Sequence, residues 1–224
     1  MSPRAERRSP DGARDELDRF DRVERWVHGS VGVLFGVCVL TAAVLYVGPL
    51  SVLVGNRRLA VLVHVWTGFA LPVPLLVGAV SRAYRSDLRR LGRFTPADGR
   101  WMRSKQVRRD AEGVGKFNAG QKLNGALSTG AILVLLGTGT IMYVTGLAPI
   151  AYRTGATFVH DWSAIAVGLL VLGHLNHAFG DPEAMHGMRS GRVLRSWARQ
   201  AHPEWVREVT DAERPRDAER PRQR

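Results

Sequence analysis

Residues 159–177 read VHDWSAIAVGLLVLGHLNH. The stretch is apolar enough to lie in a bilayer, yet it holds three imidazoles, His160, His174 and His177. An ionisable side chain inside a membrane costs free energy and marks a functional site by default. The stretch falls within the last of four segments that carry no Lys or Arg, about 26–47, 59–80, 126–145 and 158–179. Each is roughly 20 residues, enough to cross a hydrocarbon layer of about 30 Å. Asp161 is the only acid among them. A soluble bundle would give each helix a charged face. None exists here, so the chain reads as an all-α membrane protein, a bundle of four transmembrane helices.

The basic residues set the expected orientation. Of 32 Lys and Arg, 29 lie in 1–25, 81–125 and 180–224; the loops between the remaining spans hold only Arg57, Arg58 and Arg153. Cytoplasmic loops carry the Lys/Arg excess. Both termini and the long middle loop are therefore expected in the cytoplasm. The same rule accounts for the net charge of +12 without invoking nucleic acid.

The expected organisation is a polar arm over 1–25, the four-span domain over 26–179 and a basic tail over 180–224. Arg7-Arg8 is followed by no apolar run until residue 26, so the first span is expected to act as an uncleaved anchor. The tail repeats DAERPR at 211–216 and 217–222 and is expected to be disordered after about 208. Cys38 is the single cysteine, and no C-x-x-C-H motif for covalent haem attachment occurs.

Placed by depth, five of the seven histidines sort into levels. His28 enters the first span near the inner face, and His64 enters the returning second span near the outer face. The fourth span runs the same way as the second, with His160 outside and His174 inside. His160 and His174 are 14 residues apart, so they lie about 21 Å apart along the helix and within about 40° of one face. Two pairs result, His64 with His160 and His28 with His174, supplied by three helices. Paired histidines from facing helices suit the two axial positions of a haem iron, and bundle cores house such cofactors. Two haems stacked at the two levels would carry electrons across the bilayer.

A lone membrane histidine is ordinarily a packing or hydrogen-bonding residue; the matched depths of four are what favour ligation. Gly29, Gly32, Gly36, Gly68, Gly168 and Gly173 leave room beside the ligands, although Gly32-x-x-x-Gly36 is equally a helix-packing pattern. His177 falls off the shared face and is expected at the interface or beside a ligand. Asp161 is expected to be a solvated interfacial acid. His186 and His202, in the basic tail, are read as solvated.

Residues 115–122, GKFNAGQK, precede the third span on the cytoplasmic side. Asn118, Gln121 and Lys122 offer donors, and Gly115 and Gly120 allow close backbone approach. Such a loop could bind a quinone headgroup or contact lipid phosphates, and its spacing does not separate the two.

With RFDRVERWVHG opening the first span, LVHVWTG in the second, GKFNAGQK before the third and VHDWSAIAVGLLVLGHLNHA in the fourth, the chain resembles the cytochrome b (gamma) subunit of respiratory formate dehydrogenases over about 18–200. The resemblance implies two haem b groups ligated by His28, His64, His160 and His174, paired as the depths suggest. It implies a site for a quinone, menaquinone or ubiquinone, near Asn118, Gly120, Gln121 and His174, with Lys122 beside them. It implies partners: a molybdenum- or tungsten-containing catalytic subunit that oxidises formate, and an iron–sulfur subunit that feeds electrons to this chain. This chain itself carries no formate site. A cytochrome b of a hydrogenase or another redox complex is the nearest rival. A metal transporter using His174 and His177 is disfavoured by the lack of core carboxylates, and a cofactor-free anchor leaves the matched depths unexplained.

Overall fold

The structure, a computed structural model, describes residues 15–218. Most of the expected polar arm, with Arg7-Arg8, and the end of the second DAERPR repeat lie outside the described residues. In chain order the elements are β1 (Glu16–Asp18), α1 (Arg22–Tyr46), α2 (Gly48–Val54), α3 (Arg57–Ala70), α4 (Pro72–Gly78), α5 (Arg82–Gly92), α6 (Pro96–Arg103) and α7 (Lys105–Asp110). There follow α8 (Ala119–Tyr143), α9 (Ile150–Gly180), α10 (Pro182–Ser190), β2 (Arg192–Leu194), α11 (Arg195–Ala201) and α12 (Pro203–Ala218).

Four helical stretches are long and apolar enough to cross a membrane: α1, α3 continued by α4, α8 and α9. No more than 17% of any of their apolar windows is buried within the chain. A protein core therefore does not account for their hydrophobicity, and a hydrocarbon solvent does. The chain is a multi-pass membrane protein.

Local chemistry sets the helix ends. Asp21 caps α1: its carboxylate accepts from the Glu24 N–H at 2.7 Å, and the Glu24 carboxylate accepts from the Asp21 N–H at 2.7 Å. Asn56 caps α3 by accepting from the Leu59 N–H, after Gly55 has reversed the chain at φ 66°. Pro72 and Pro74 supply no N–H, which divides α3 from α4 within one span. α8 and α9 start seven and eight residues before the charge-free windows at 126 and 158. Their starts follow capping at Asn118 and Pro149, not the hydrocarbon boundary. With 31 residues, α9 extends about 46 Å and outreaches the apolar layer.

The chain divides into two compact units. The membrane unit comprises Asp21–Leu88 and Asn124–Gly180. Within it α1 packs along α3 and α4, whereas α9 has no comparable close packing with α1 or α3. The α1–α4 crossing depends on Gly78, where a Cβ would stand 2.6 Å from Val27 Cγ2 and 3.1 Å from the Tyr84 ring. Burial pushes the Tyr84 phenol above its ordinary range.

The other unit gathers the residues before Asp21, Arg89–Leu123 and those from Asp181 on. Its two-stranded antiparallel sheet pairs Glu16 with Leu194, Leu17 with Val193 and Asp18 with Arg192. Leu17, Val193, Ala198, Trp205 and Val206 form the core, with Trp197 and Val209 against it. The Arg19 guanidinium lies over the Trp197, Phe20 and Trp205 rings, at 4.8, 5.2 and 5.6 Å from their centroids. Arg19 Nη2 also donates to the Lys116 carbonyl and to His202 Nε2, each at 3.0 Å.

Two expectations are corrected here. His202 is not solvated: it is 2% exposed, and its Nδ1–H donates to the Gly115 carbonyl at 2.7 Å. Burial, with the adjacent Arg19 charge, lowers its pKa from 6.5 to about 3 despite that carbonyl. The charge density of the tail concealed this aromatic core. Nor is the tail irregular from 208, because α12 continues to Ala218. Trp205 and Val206 anchor the helix in the core, and Glu213 pairs with Arg195 at 3.3 Å.

Candidate functional site

In the membrane unit His28 on α1 faces His174 on α9, with ring centroids 6.0 Å apart. His64 on α3 faces His160, also on α9, at 6.2 Å. A ligating imidazole nitrogen stands about 2 Å from its metal, and its ring centre about 1 Å further, so two rings across one iron would have centroids about 6 Å apart. Both pairs have that spacing, and the structure brings together the partners that matched depth suggested.

The backs of the rings differ. His64 Nδ1 lies 2.9 Å from Thr41 Oγ1 and 3.2 Å from the Cys38 carbonyl. A carbonyl only accepts, so Nδ1 carries the proton. The Thr41 hydroxyl donates to the Val37 carbonyl at 2.7 Å and so faces the ring with a lone pair. On the other side His160 Nδ1 lies 3.0 Å from Thr138 Oγ1, whose hydroxyl donates to the Val134 carbonyl at 2.7 Å. Both rings thus have Nδ1–H engaged and the Nε2 lone pair available to a metal, the tautomer that a neighbour fixes in histidine–metal sites. On the His160 side α8 packs beside the ring at Gly139, where a Cβ would make ordinary contact with His160 Cε1 at 3.5 Å. Sequence reading missed Thr41 and Thr138. No described hydrogen bond holds His28 or His174 in this way.

Space for a flat ring exists beside the pairs. A Cβ at Gly29, Gly32, Gly36, Gly68, Gly168 or Gly173 would meet nothing within 4 Å. Gly32 and Gly36 therefore do not seat a neighbouring helix, and of the two expected readings the open-space one matches the structure. Together with the loose α1–α9 and α3–α9 packing, ring spacing, tautomer and open space fit a haem, which His28 and His174, or His64 and His160, would hold between the helices. Asp161 is not simply solvated: its Oδ1 accepts from Tyr46 Oη at 2.6 Å, joining α1 to α9. Among the described residues no cluster of three or more His, Cys, Asp or Glu forms a metal site, and His174 turns to His28.

The GKFNAGQK residues lie in the other unit and each has a local task. Asn118 Oδ1 accepts from the Gln121 N–H, and Gln121 Oε1 accepts from the Asn118 N–H, both at 2.9 Å, which caps α8. Gly120 admits Trp101, whose ring edge would lie 3.2 Å from a Cβ. Lys122 Nζ donates to the Arg93 carbonyl at 3.0 Å and pairs with Asp98 at 2.8 Å. Burial would raise the Asp98 pKa, but the bonds from Lys122 and Thr95 outweigh it and lower it. The amide NH2 of Asn118 and of Gln121 and one N–H of Lys122 are left without a described partner.

A family model described as prokaryotic cytochrome b561 matches residues 19–191. Curated relatives include the cytochrome b556(Fdn) subunit of nitrate-inducible formate dehydrogenase from Escherichia coli K12, Escherichia coli O157:H7 and Shigella flexneri. Each is 30% identical over 109 residues, 47% of this chain and 50% of the relative. The chain thus spans about half the length of the curated relatives it matches.

Proposed function

The chain belongs to the prokaryotic cytochrome b561 family, all-helical membrane proteins that bind b-type haem, and on that premise we propose that it carries electrons through the membrane to a quinone as a subunit of a formate dehydrogenase complex. The observation that carries the reading is the pair of histidine pairs at ligating separation, joined by one helix. We assign His64 and His160 as the axial ligands of an outer haem, and His28 and His174 as those of an inner one. Bound there, each haem supplies one-electron chemistry at its iron. Thr41 and Thr138 hold the outer rings with Nε2 free, and the apolar spans exclude water from both levels.

The relatives' name supplies the formate dehydrogenase complex, and the resemblance drawn from the sequence motifs implies its other subunits: a catalytic subunit with molybdenum or tungsten and an iron–sulfur subunit, meeting the outer end of the bundle. The termini are on the cytoplasmic side of the bacterial inner membrane, where the basic excess belongs. The amide NH2 groups of Asn118 and Gln121 donate to a quinone carbonyl, Gly120 keeps the approach open, and Lys122 holds the turn through Asp98.

The test combines haem content with turnover. The purified protein should contain about two haems by pyridine haemochrome, in keeping with two ligand pairs. Asn118→Leu or Gln121→Leu should keep both haems reducible by formate through the complex, and should slow quinone-driven reoxidation about 5- to 150-fold for a lost bond of about 1–3 kcal/mol. Wild-type reoxidation in both variants would leave GKFNAGQK to its capping and lipid contacts. Reduction by hydrogen instead of formate would assign the chain to a hydrogenase.

A further inference from the structure

Arg153 lies near the start of α9, on the side of the bundle that carries almost no basic residues. Its Nη2 donates to the Met142 carbonyl at 3.3 Å, and its Nε is buried with no hydrogen-bond partner. A buried guanidinium N–H left unpaired costs free energy and is ordinarily met by a bound group. Arg153 precedes His160 by seven residues, two helical turns, so it stands about 10 Å further out along the axis and within about 20° of the same face. The opposing helix repeats this register: Met142 lies one turn beyond Thr138, the residue that holds His160.

The two loops on this side of the bundle supply no acid for it. Residues 47–58 and 144–157 contain neither Asp nor Glu, and Asp161 Oδ1 is taken by Tyr46. An acceptor from outside the polypeptide that carries negative charge and approaches the His64–His160 level from its outer end would satisfy both the free N–H and the charge. We propose that Arg153 binds a propionate carboxylate of the haem held by His64 and His160. This rests on the ligation given above. A guanidinium suits the task because it stays charged and offers paired N–H donors to a carboxylate. A cation at that position favours the reduced haem, so Arg153 raises the outer midpoint potential and leaves the inner one alone.

The experiment compares the full-length haem-loaded protein with Arg153→Gln and Arg153→Lys. Haem content comes from pyridine haemochrome and the two midpoints from spectroelectrochemical titration. The Gln variant should show a lower outer midpoint or selective loss of the outer haem, with the inner midpoint unchanged and the Lys variant restoring most of the difference. A Gln variant with both haems at wild-type midpoints overturns the assignment and leaves Arg153 to lipid phosphate or a partner's acid. A wild-type protein without the outer haem, or a His160→Ala variant that keeps it, would instead sink the underlying ligation.

Discussion

The two histidine pairs share a spacing and one helix but differ in what stands behind the rings. The outer rings are set by protein: threonine hydroxyls, each with its own proton spent on a carbonyl four residues back, accept from Nδ1 of His64 and His160. The inner rings, His28 and His174, face each other without such support. On the ligation assigned above, the polypeptide orients the outer rings through hydrogen bonds, whereas no described hydrogen bond orients the inner pair. Pre-organisation lowers the ordering cost of binding, so the outer site should hold its haem more tightly.

The largest effect comes from removing a ligand. His64→Ala or His160→Ala should abolish the outer haem and stop electron entry, while the inner haem remains reducible by a quinol analogue. His28→Ala or His174→Ala should do the reverse. Haem stoichiometry with reduced-minus-oxidised spectra reads both, and a variant that keeps full content would break the pairing.

Next come the threonines. Replacing the group behind a ligating histidine typically costs about 10- to 100-fold in metal affinity. In the wild type, a haem-scavenging competitor should strip the inner haem first. Thr41→Val with Thr138→Val should erase that order, which spectra recorded during the challenge would show. If the order survives, the outer rings are held by something other than these hydroxyls.

The smallest effect fixes the conditions under which the two sites can be compared. The folded-state pKa of His202 lies below its ordinary 6.5, so the unfolded chain binds the proton more tightly. The stability of the extramembrane unit is full above about pH 6.5 and declines by up to about 1.4 kcal/mol per pH unit as pH falls toward 3. Thermal melts should fall from pH 7.5 to 5. A His202→Asn variant should start lower and show a flatter profile; an unchanged slope would remove His202 as the cause.

The pairing of His64 with His160 and of His28 with His174 was legible in the sequence because membrane depth is a one-dimensional coordinate that hydropathy and chain direction supply. The same coordinate could have found the threonines: Thr41 and Thr138 each lie five residues before the outer end of their helices. They escaped because a threonine within a span ordinarily bonds its own helix and attracts no notice. The starts of α8 and α9 escaped for another reason, since capping by Asn118 and Pro149 operates outside the hydrocarbon that the apolar windows measure. His202 and α12 were misread because charge and repetition describe a surface, while Trp197, Trp205 and Val206 determine what is beneath it.

One feature of α9 governs the order in which the protein can be made. On the ligation assigned above, this single helix donates a ring to each pair, and it is the fourth span to leave the ribosome. The α1, α3 and α4 packing can close early through Gly78 and Val27. Neither metal site can be completed until the fourth span has entered the bilayer. A chain truncated before Ile150 should insert and persist yet capture no haem, whereas one truncated after Gly180 should capture both, so cofactor loading acts as a checkpoint on completed membrane insertion.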